Sequence, residues 1–265
     1  MSLLVSLMYH EVSDLPDGEI QGYYNAQKSF CISLDEFEYQ IVTLLNSGCK
    51  IISIGDLEQK EIKQTRKFVL LSFDDGFVGN YRYALPILQK YHQKAIFFLI
   101  AKKIGCHPYM TWDDVRNLAA AGMCIGSHGC SHRIIAGNNK EMLWEELARS
   151  KEIIEEQINQ EINAISFPHG AYDSISLSLA RKAGYRYVFT SDYGFTIKKR
   201  EGLLLFPRMP VCRDLTDKKF EGLISPGLLM FFRNMVGSSV KKTIKQIIGF
   251  ENYLYLYTKF HGLSE

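Results

Sequence analysis

Two adjacent carboxylates are the first residues of this sequence that could do chemistry. Asp74 and Asp75 follow the apolar run 68–73 and precede Gly76. Successive side chains of a strand point to opposite faces, so both acids serve one site only if the chain turns there, which the glycine permits. Carboxyl groups that flank a sugar bond stand about 5 Å or more apart, which neighbouring residues supply badly. The pattern therefore predicts different roles for Asp74 and Asp75, with a solvated turn as the alternative.

A pair of closely spaced histidines forms the second feature. His128 and His132 lie four residues apart in Ser-His-Gly-Cys-Ser-His. A helical or turning loop would bring both imidazoles to one side, where a carboxylate from a neighbouring strand would complete a three-ligand metal site with open positions. Cys130 is an alternative ligand of a closed zinc site, and two polar loop histidines are the simpler interpretation.

The elements that must position these residues follow from hydrophobic periodicity. Apolar runs of strand length cover residues 3–8, 50–54, 68–73, 95–100, 123–126, 164–167, 187–190 and 203–206. Capping boxes at 33–36 and 111–114 open helices that Gly48 and Gly122 end, and further helices are predicted at 80–91, 141–159 and 174–182. This alternation is typical of βα units around a parallel sheet, and seven or eight units could close a barrel.

Ionisable groups follow nearly every predicted strand. They are His10, Asp74, Asp75, His128, His169, Asp192 and Arg208. Because the carboxyl ends of parallel strands meet at one rim, we expect these side chains to form one site.

Composition restricts the classes of function. The chain has 265 residues with 31 Lys+Arg against 29 Asp+Glu, which supplies no strong field for nucleic acid. Six cysteines without a Cys-x-x-Cys pair suit a reducing compartment rather than a disulfide scaffold. The N-terminus lacks the anatomy of a secretory signal, and no apolar run is long enough to span a bilayer. We therefore expect a cytoplasmic protein, soluble or attached to the membrane peripherally.

Several motifs together resemble a known family. They are Leu71-Ser-Phe-Asp-Asp-Gly-Phe77, the run 111–128 and His132. These residues resemble the NodB-homology polysaccharide deacetylases, also called carbohydrate esterase family 4, and the resemblance covers residues 3–212. It implies an α/β fold, a distorted (β/α)7-type barrel, and metal-dependent hydrolysis of the N-acetyl amide of a sugar.

The resemblance also implies roles. In that family the first Asp of the pair is the catalytic base, and the second Asp and the two histidines bind the metal. These roles fall on Asp74 as base and on Asp75, His128 and His132 as ligands. Zinc is the expected ion, and the same ligands suit Fe²⁺, Co²⁺ or Ni²⁺.

Two family motifs are altered. The third motif usually begins with an arginine, whereas this chain has Ser166-Phe-Pro-His-Gly170, and no clear C-terminal histidine motif follows. Instead, Met8-Tyr-His-Glu-Val12 resembles the branch related to poly-N-acetylglucosamine deacetylases, in which an N-terminal histidine is the general acid. That resemblance implies His10 as the acid.

Two further residues are secondary catalytic candidates. Asp192 occupies the place of the family's fourth motif, with a solvated acid as the alternative. Arg208 follows the last core strand and could replace the absent arginine by pairing with Asp74 or Asp192, unless it is a plain surface residue.

The altered third motif is expected to form part of the substrate pocket. Its candidate substrate and oxyanion residues are Pro168, Gly170, Ala171 and Tyr172. Backbone N–H groups around Ala171 and Tyr172 are expected to stabilise the oxyanion, and His169 is expected to form pocket wall.

Three functions remain open from the sequence. The leading one is a deacetylase of an N-acetylated sugar, and the lack of a signal peptide favours a nucleotide sugar, a lipid-linked glycan or a small oligosaccharide over an extracellular polymer. The others are a catalytically impaired carbohydrate-binding relative and a non-haem iron oxygenase, since two histidines and a carboxylate also define that site. The carboxylate of Asp74 beside the ligands favours hydrolysis.

The composition changes at the C-terminal end. After Ser225-Pro-Gly227, residues 226–265 combine apolar clusters with Arg233, Lys241, Lys242, Lys245 and Lys259. This pattern predicts a helical extension that contacts the inner face of a membrane. Packing of these residues under the barrel, or a dimer contact, is an alternative of equal weight. We accordingly expect a deacetylase barrel at 1–225 and an extension at 226–265, with the oligomeric state open.

Overall fold

Eight of the twelve described strands overlap the predicted runs. The computed structural model describes residues 3–14, 28–58, 67–137 and 139–224, so the predicted extension 226–265 lies outside the described residues. The strands are β1 (Leu3–Tyr9), β2 (Glu11–Ser13), β3 (Cys31–Ser33), β4 (Lys50–Ile51), β5 (Lys67–Phe73), β6 (Ile96–Leu99), β7 (Cys124–Ser127), β8 (Ala164–Ser166), β9 (Tyr187–Phe189), β10 (Lys198–Arg200), β11 (Leu203–Phe206) and β12 (Met209–Pro210).

Six of the eight described helices lie in the predicted intervals. The helices are α1 (Leu34–Asn46), α2 (Ile54–Glu58), α3 (Leu85–Lys90), α4 (Trp112–Ala120), α5 (Lys140–Trp144), α6 (Ser150–Ile158), α7 (Ser174–Lys182) and α8 (Asp217–Ile224), of which α2 and α8 were not predicted. A π-helical turn, Asn80–Ala84, leads into α3, and a second, Glu145–Arg149, joins α5 to α6. The Thr111–Asp114 capping box forms in both directions, whereas at Ser33 only the side-chain bond from the Glu36 N–H is present. None of the helices in the described residues is long and apolar enough to cross a bilayer.

One sheet organises the molecule. Its order is β10-β11-β9-β8-β7-β6-β5-β1-β12, and all pairs are parallel except β10 with β11. The strand β5 is shared, because β4 pairs with its first half at Phe68 and β6 with its second half at Ser72. Along the described strands the order runs from β10 to β12 without closing. The prediction of a distorted barrel is confirmed, with the barrel left open.

The two faces of the sheet have separate cores. Alternate residues of the strands, among them Phe68, Leu70, Phe98, Phe189 and Phe206, form the inner cluster. The intervening residues pack with the helices in a larger outer cluster. Since side chains alternate, the inner face of β5 continues from Leu70 to Ser72 and then to Asp74. The carboxylate therefore ends a row of inward-pointing residues.

Candidate active site

The two acids diverge because the backbone turns between them. Asp74 continues β5, and its N–H donates to Tyr9 O at 2.9 Å. Asp75 has a φ of 73° and Gly76 a φ of 84°, so the chain leaves the strand in the left-handed region, which Asp tolerates better than most residues. Both acids are buried, at 2% exposure each. The predicted turn thus lets adjacent carboxylates enter one site in different directions.

Asp74 is paired with a buried arginine. The Arg208 guanidinium donates to Asp74 Oδ1 at 2.7 Å and to Asp74 Oδ2 at 2.8 Å, a bidentate arrangement. Ser166 Oγ donates to Asp74 Oδ2 at 3.1 Å. Burial by itself would raise the pKa of Asp74, but the charge and hydrogen bonds of Arg208 outweigh it and hold that pKa well below its usual range. Asp74 therefore stays ionised.

The remaining donors of Arg208 are also used. Its Nε donates to Thr190 O at 3.1 Å, and its terminal nitrogens donate to Ser72 Oγ at 3.2 Å and Ser166 Oγ at 2.7 Å. Its carbon Cζ lies 5.7 Å from the ring centre of Phe98 and 5.9 Å from that of Phe189. The structure thus places Arg208 inside the barrel rather than on the surface, and its side chain meets Asp74 rather than Asp192.

The histidines meet Asp75 on the other side of the site. Asp75 Oδ1 lies 3.4 Å from His128 Nε2 and 3.3 Å from His132 Nε2. His128 Nδ1 is 2.8 Å from Ser166 O. A carbonyl only accepts, so Nδ1 carries the proton and Nε2 presents its lone pair to Asp75.

Burial shifts all three groups towards their neutral forms. It raises the pKa of Asp75 to about 6, with His10 opposing the shift and Asp74 adding to it. Burial lowers the pKa of His128 to about 3 and that of His132 to about 4. Near neutral pH the cluster therefore holds two neutral imidazoles and a carboxylate with little compensating charge.

This donor set fits a divalent metal. Within the described ranges, the cluster of His, Cys, Asp and Glu whose donor atoms lie within 4.8 Å of one another is Asp75, His128 and His132. Tetrahedral ligands at the usual zinc distance of about 2.0 Å stand about 3.3 Å apart. The separations of Asp75 Oδ1 from the two Nε2 atoms match that value. The neutral imidazoles and the carboxylate are the forms that bind a metal.

His10 approaches the site from the end of β1. Its ring centre lies 4.6 Å from that of Phe30, and its Nδ1 is buried without a hydrogen-bond partner among the described residues. Burial lowers the pKa of His10, and the charges of Asp75 and Asp74 act against that shift. His10 is therefore within electrostatic reach of both carboxylates.

The third-motif region differs from the expectation in one respect. The Ala171 N–H donates to Pro168 O at 3.2 Å, so it closes the turn Pro168–Gly170. The expectation that Ala171 supplies an oxyanion donor is therefore not supported. Gly170 has a φ of 65°, and a Cβ there would lie 2.5 Å from Ser191 Cβ, so this turn requires glycine.

Three other candidates lie around the pocket. The Tyr172 hydroxyl donates to Asp192 Oδ2 at 2.6 Å, and the Arg208 backbone N–H donates to Asp192 O at 2.9 Å. His169 is exposed, with its ring centre 4.8 Å from that of His132. This position agrees with pocket wall.

Two serines belong to the site although the sequence analysis did not select them. Ser72 and Ser166 are fully buried and bond to Arg208, and Ser166 also bonds to Asp74 and His128. Their position in the strand was the available signal, because side chains alternate between the two faces and each serine is a polar residue on the inward face of a buried strand.

Known proteins share this sequence and fold. Residues 61–188 match the family model described as polysaccharide deacetylase. The Bacillus subtilis (strain 168) protein YxkH, which bears the same family name, is 28% identical over 221 residues, covering 82% of this chain and 75% of that protein. The poly-β-1,6-N-acetyl-D-glucosamine N-deacetylase of Staphylococcus aureus (strain MRSA252) is 24% identical over 181 residues, and the match covers 62% of each chain.

A solved structure shows the same fold. The Streptococcus pyogenes deacetylase PplD in complex with acetate superimposes with a TM-score of 0.73 at 24% identity, covering 84% of this chain and 99% of that one. With the matched motifs around Asp74 and His128, these similarities assign the family. The segment 61–188, which carries Asp74, Asp75, His128 and His132, therefore belongs to the polysaccharide deacetylase family, whose enzymes act on the N-acetyl amide bonds of sugars.

Proposed function

We propose that this protein is a metal-dependent hydrolase that removes N-acetyl groups from an N-acetylated glycan. The observation that carries the proposal is the convergence of Asp75, His128 and His132 beside an ionised Asp74. A divalent ion bound to these three side chains would polarise the acetyl carbonyl and lower the pKa of a water molecule. The protein's own groups supply the remaining steps.

Asp74 is the proposed general base. Its pairing with Arg208 keeps the carboxylate ionised, so the proton-accepting form is present near neutral pH. The same pairing fixes the carboxylate in position, and Ser166 adds a further bond. Asp74 accepts the proton of the attacking water, and the role is worth on the order of a hundredfold to ten-thousandfold in rate.

His10 is the proposed general acid. It follows the carboxyl end of β1, at the same rim of the sheet as Asp74, and is close enough to both carboxylates to respond to their charges. A protonated His10 would give its proton to the departing amine, which is a poor leaving group without one.

The arginine contact supports turnover over a purely binding role. The alternative function, a catalytically impaired carbohydrate-binding protein, depended on the loss of the third-motif arginine. Arg208 supplies a bidentate partner to Asp74 from the other side of the barrel, so that loss does not leave the base unpaired.

The proposed substrate is a polymer of N-acetylhexosamine units. One relative is named for poly-β-1,6-N-acetyl-D-glucosamine, and this chain covers 62% of that protein. The expectation of a cytoplasmic precursor, nucleotide-linked or lipid-linked, stays a prediction, as does membrane contact.

Metal content and acetate release test the proposal together. Asp75→Ala, His128→Ala and His132→Ala are each expected to lose stoichiometric zinc, whereas Asp74→Asn keeps zinc and loses acetate release from β-1,6-linked N-acetylglucosamine oligomers. Asp113→Ala, which removes an exposed carboxylate, is the control and should change neither. If Asp74→Asn emptied the site while Asp75→Ala did not, the two roles would be reversed.

A further inference from the structure

A buried glutamate lies behind the loop that carries both histidines. Glu146 is 4% exposed and belongs to the π-helical turn between α5 and α6. Its Oε2 accepts from the Cys130 N–H at 2.8 Å and from the Ser131 N–H at 2.9 Å. Its Oε1 accepts from the Ser131 hydroxyl. One carboxylate therefore holds the two residues that precede His132.

The rest of the loop is held by other bonds. The Gly129 N–H donates to Ser127 Oγ at 3.0 Å, and Ser127 Oγ is 2.7 Å from Ser150 Oγ, one turn after Glu146. On the other side, Gly129 O and Cys130 O accept from the N–H groups of residues 101 and 102. Three consecutive N–H groups of the loop thus point at acceptors fixed by one helix.

The two histidines are oriented by different means. His128 is fixed through its own ring by Ser166 O. His132 has a φ of 66°, a left-handed conformation that a non-glycine residue adopts only where its surroundings impose it. The bonds to Ser131 N and Ser131 Oγ fix the chain immediately before that residue.

We propose that Glu146 is a positioning residue that sets the metal-binding geometry of His132 through the backbone of Cys130 and Ser131. The inference rests on the proposed metal site. Partners outside the ligand shell commonly change metal affinity about tenfold to hundredfold. The same bonds also keep two buried N–H groups satisfied, which burial requires.

Two substitutions of similar size separate hydrogen bonding from packing. In Glu146→Gln the side-chain oxygen can accept both N–H bonds while the amide donates to Ser131 Oγ, so every contact has a replacement. Glu146→Met fills the same space and leaves both N–H groups without an acceptor. Glu145→Met is the matched control, because Glu145 lies in the same turn and is 56% exposed.

The test is zinc affinity of the full chain, measured by competition with a chelating dye after the protein is stripped of metal. Glu146→Met is expected to bind zinc about tenfold to hundredfold more weakly, and Glu146→Gln and Glu145→Met close to wild type. Hydrogen exchange at Cys130 and Ser131 in the metal-free protein should be faster in Glu146→Met than in Glu146→Gln.

The outcomes distinguish the two proposals. A wild-type chain that bound no zinc would overturn the proposed function itself. Wild-type zinc affinity in Glu146→Met would overturn the role of Glu146 alone, and an equal loss in Glu146→Gln would show that charge rather than hydrogen bonding matters. If Glu146→Met does not fold, Glu146→Ala replaces it, since it removes the same acceptor of both N–H bonds, and unchanged zinc affinity there would refute the inference.

Discussion

The site has an arginine half and a histidine half, and they treat their carboxylates in opposite ways. In the arginine half, Asp74 is bound by Arg208 and Ser166, and its pKa is held well below the usual range. In the histidine half, Asp75 stands beside two neutral imidazoles, and burial raises its pKa to about 6. Adjacent residues with equal exposure therefore have different electrostatic surroundings.

The difference shows how one strand end can supply two functions. The arginine half is complete within the protein, because opposite charges and hydrogen bonds compensate each other there. The histidine half collects lone pairs and negative charge, which a cation would compensate. A backbone turn at Asp75 suffices to send one carboxylate to each half.

The largest effect is expected from removing the arginine charge. Arg208→Met leaves the buried Asp74 carboxylate without its cation, and such a loss typically costs about 3–5 kcal/mol in the free energy of unfolding. Denaturant unfolding of the metal-free protein measures it, with the exposed Arg133→Met as control. Asp74→Asn in the Arg208→Met background should recover part of the loss, and equal costs for both arginines would contradict the described pairing.

His10, the proposed general acid, is expected to matter only for poor leaving groups. His10→Ala should lower acetate release from N-acetylglucosamine oligomers on the order of a hundredfold or more, because the departing amine needs a proton. An activated aryl acetate has a leaving group that needs none, so its hydrolysis should fall far less. Equal losses on both substrates would remove His10 from the acid role, and a large loss of thermal stability would indicate a structural one.

The pH dependence of zinc binding probes the histidine half. Below a pH of about 6 a proton on Asp75 competes with the metal, so zinc affinity is expected to fall about tenfold per pH unit there and to level off above it. His128 and His132 are neutral down to a pH of about 4, because burial lowers the pKa of both imidazoles. Zinc titrations at a series of pH values test this. A hundredfold fall in zinc affinity per pH unit just below pH 6 would indicate two competing protons and would contradict it.

The smallest effect is expected outside both halves. Tyr172→Phe removes the donor to Asp192 and should cost about 1 kcal/mol in the free energy of unfolding, as is usual for one hydrogen bond. Zinc affinity should not change, because Asp192 is not one of the three proposed metal ligands. A change in zinc affinity as large as that of a ligand substitution would mean that Asp192 belongs to the histidine half.

Much of the fold could be predicted because its cause is local. Buried parallel strands give apolar runs, and capping residues mark helix starts, so the positions of β1, of β4 to β9 and of β11 and the start of α4 were visible in the sequence. The short strands β2, β3 and β12 were not predicted. The strand β10 was not predicted either, because Lys198, Lys199 and Arg200 are exposed and pair only through the backbone. The division of the β5 edge between β4 and β6 also has no sequence pattern.

The site could be predicted by residue type but not by partner. The sequence identified the strand ends, and with the family resemblance it named Asp74, Asp75, His128 and His132. Which acid meets Arg208 depends on strand order, which no local pattern encodes. Glu146 was not distinguished from the other glutamates of its helix, although it lies on the same helical face as buried residues such as Leu143, Leu147 and Ile154.

The position of β1 in the sheet has a consequence for biosynthesis. This first strand lies between β5 and β12, with Leu7 paired to Met209 and, on the other edge, to Leu71. Contacts between such distant residues form slowly, because a long stretch of chain must be ordered to make them. During synthesis, Asp74 leaves the ribosome long before Arg208 and stays without its cation until almost all of the described chain has emerged. A nascent chain should therefore complete the arginine half of the site last.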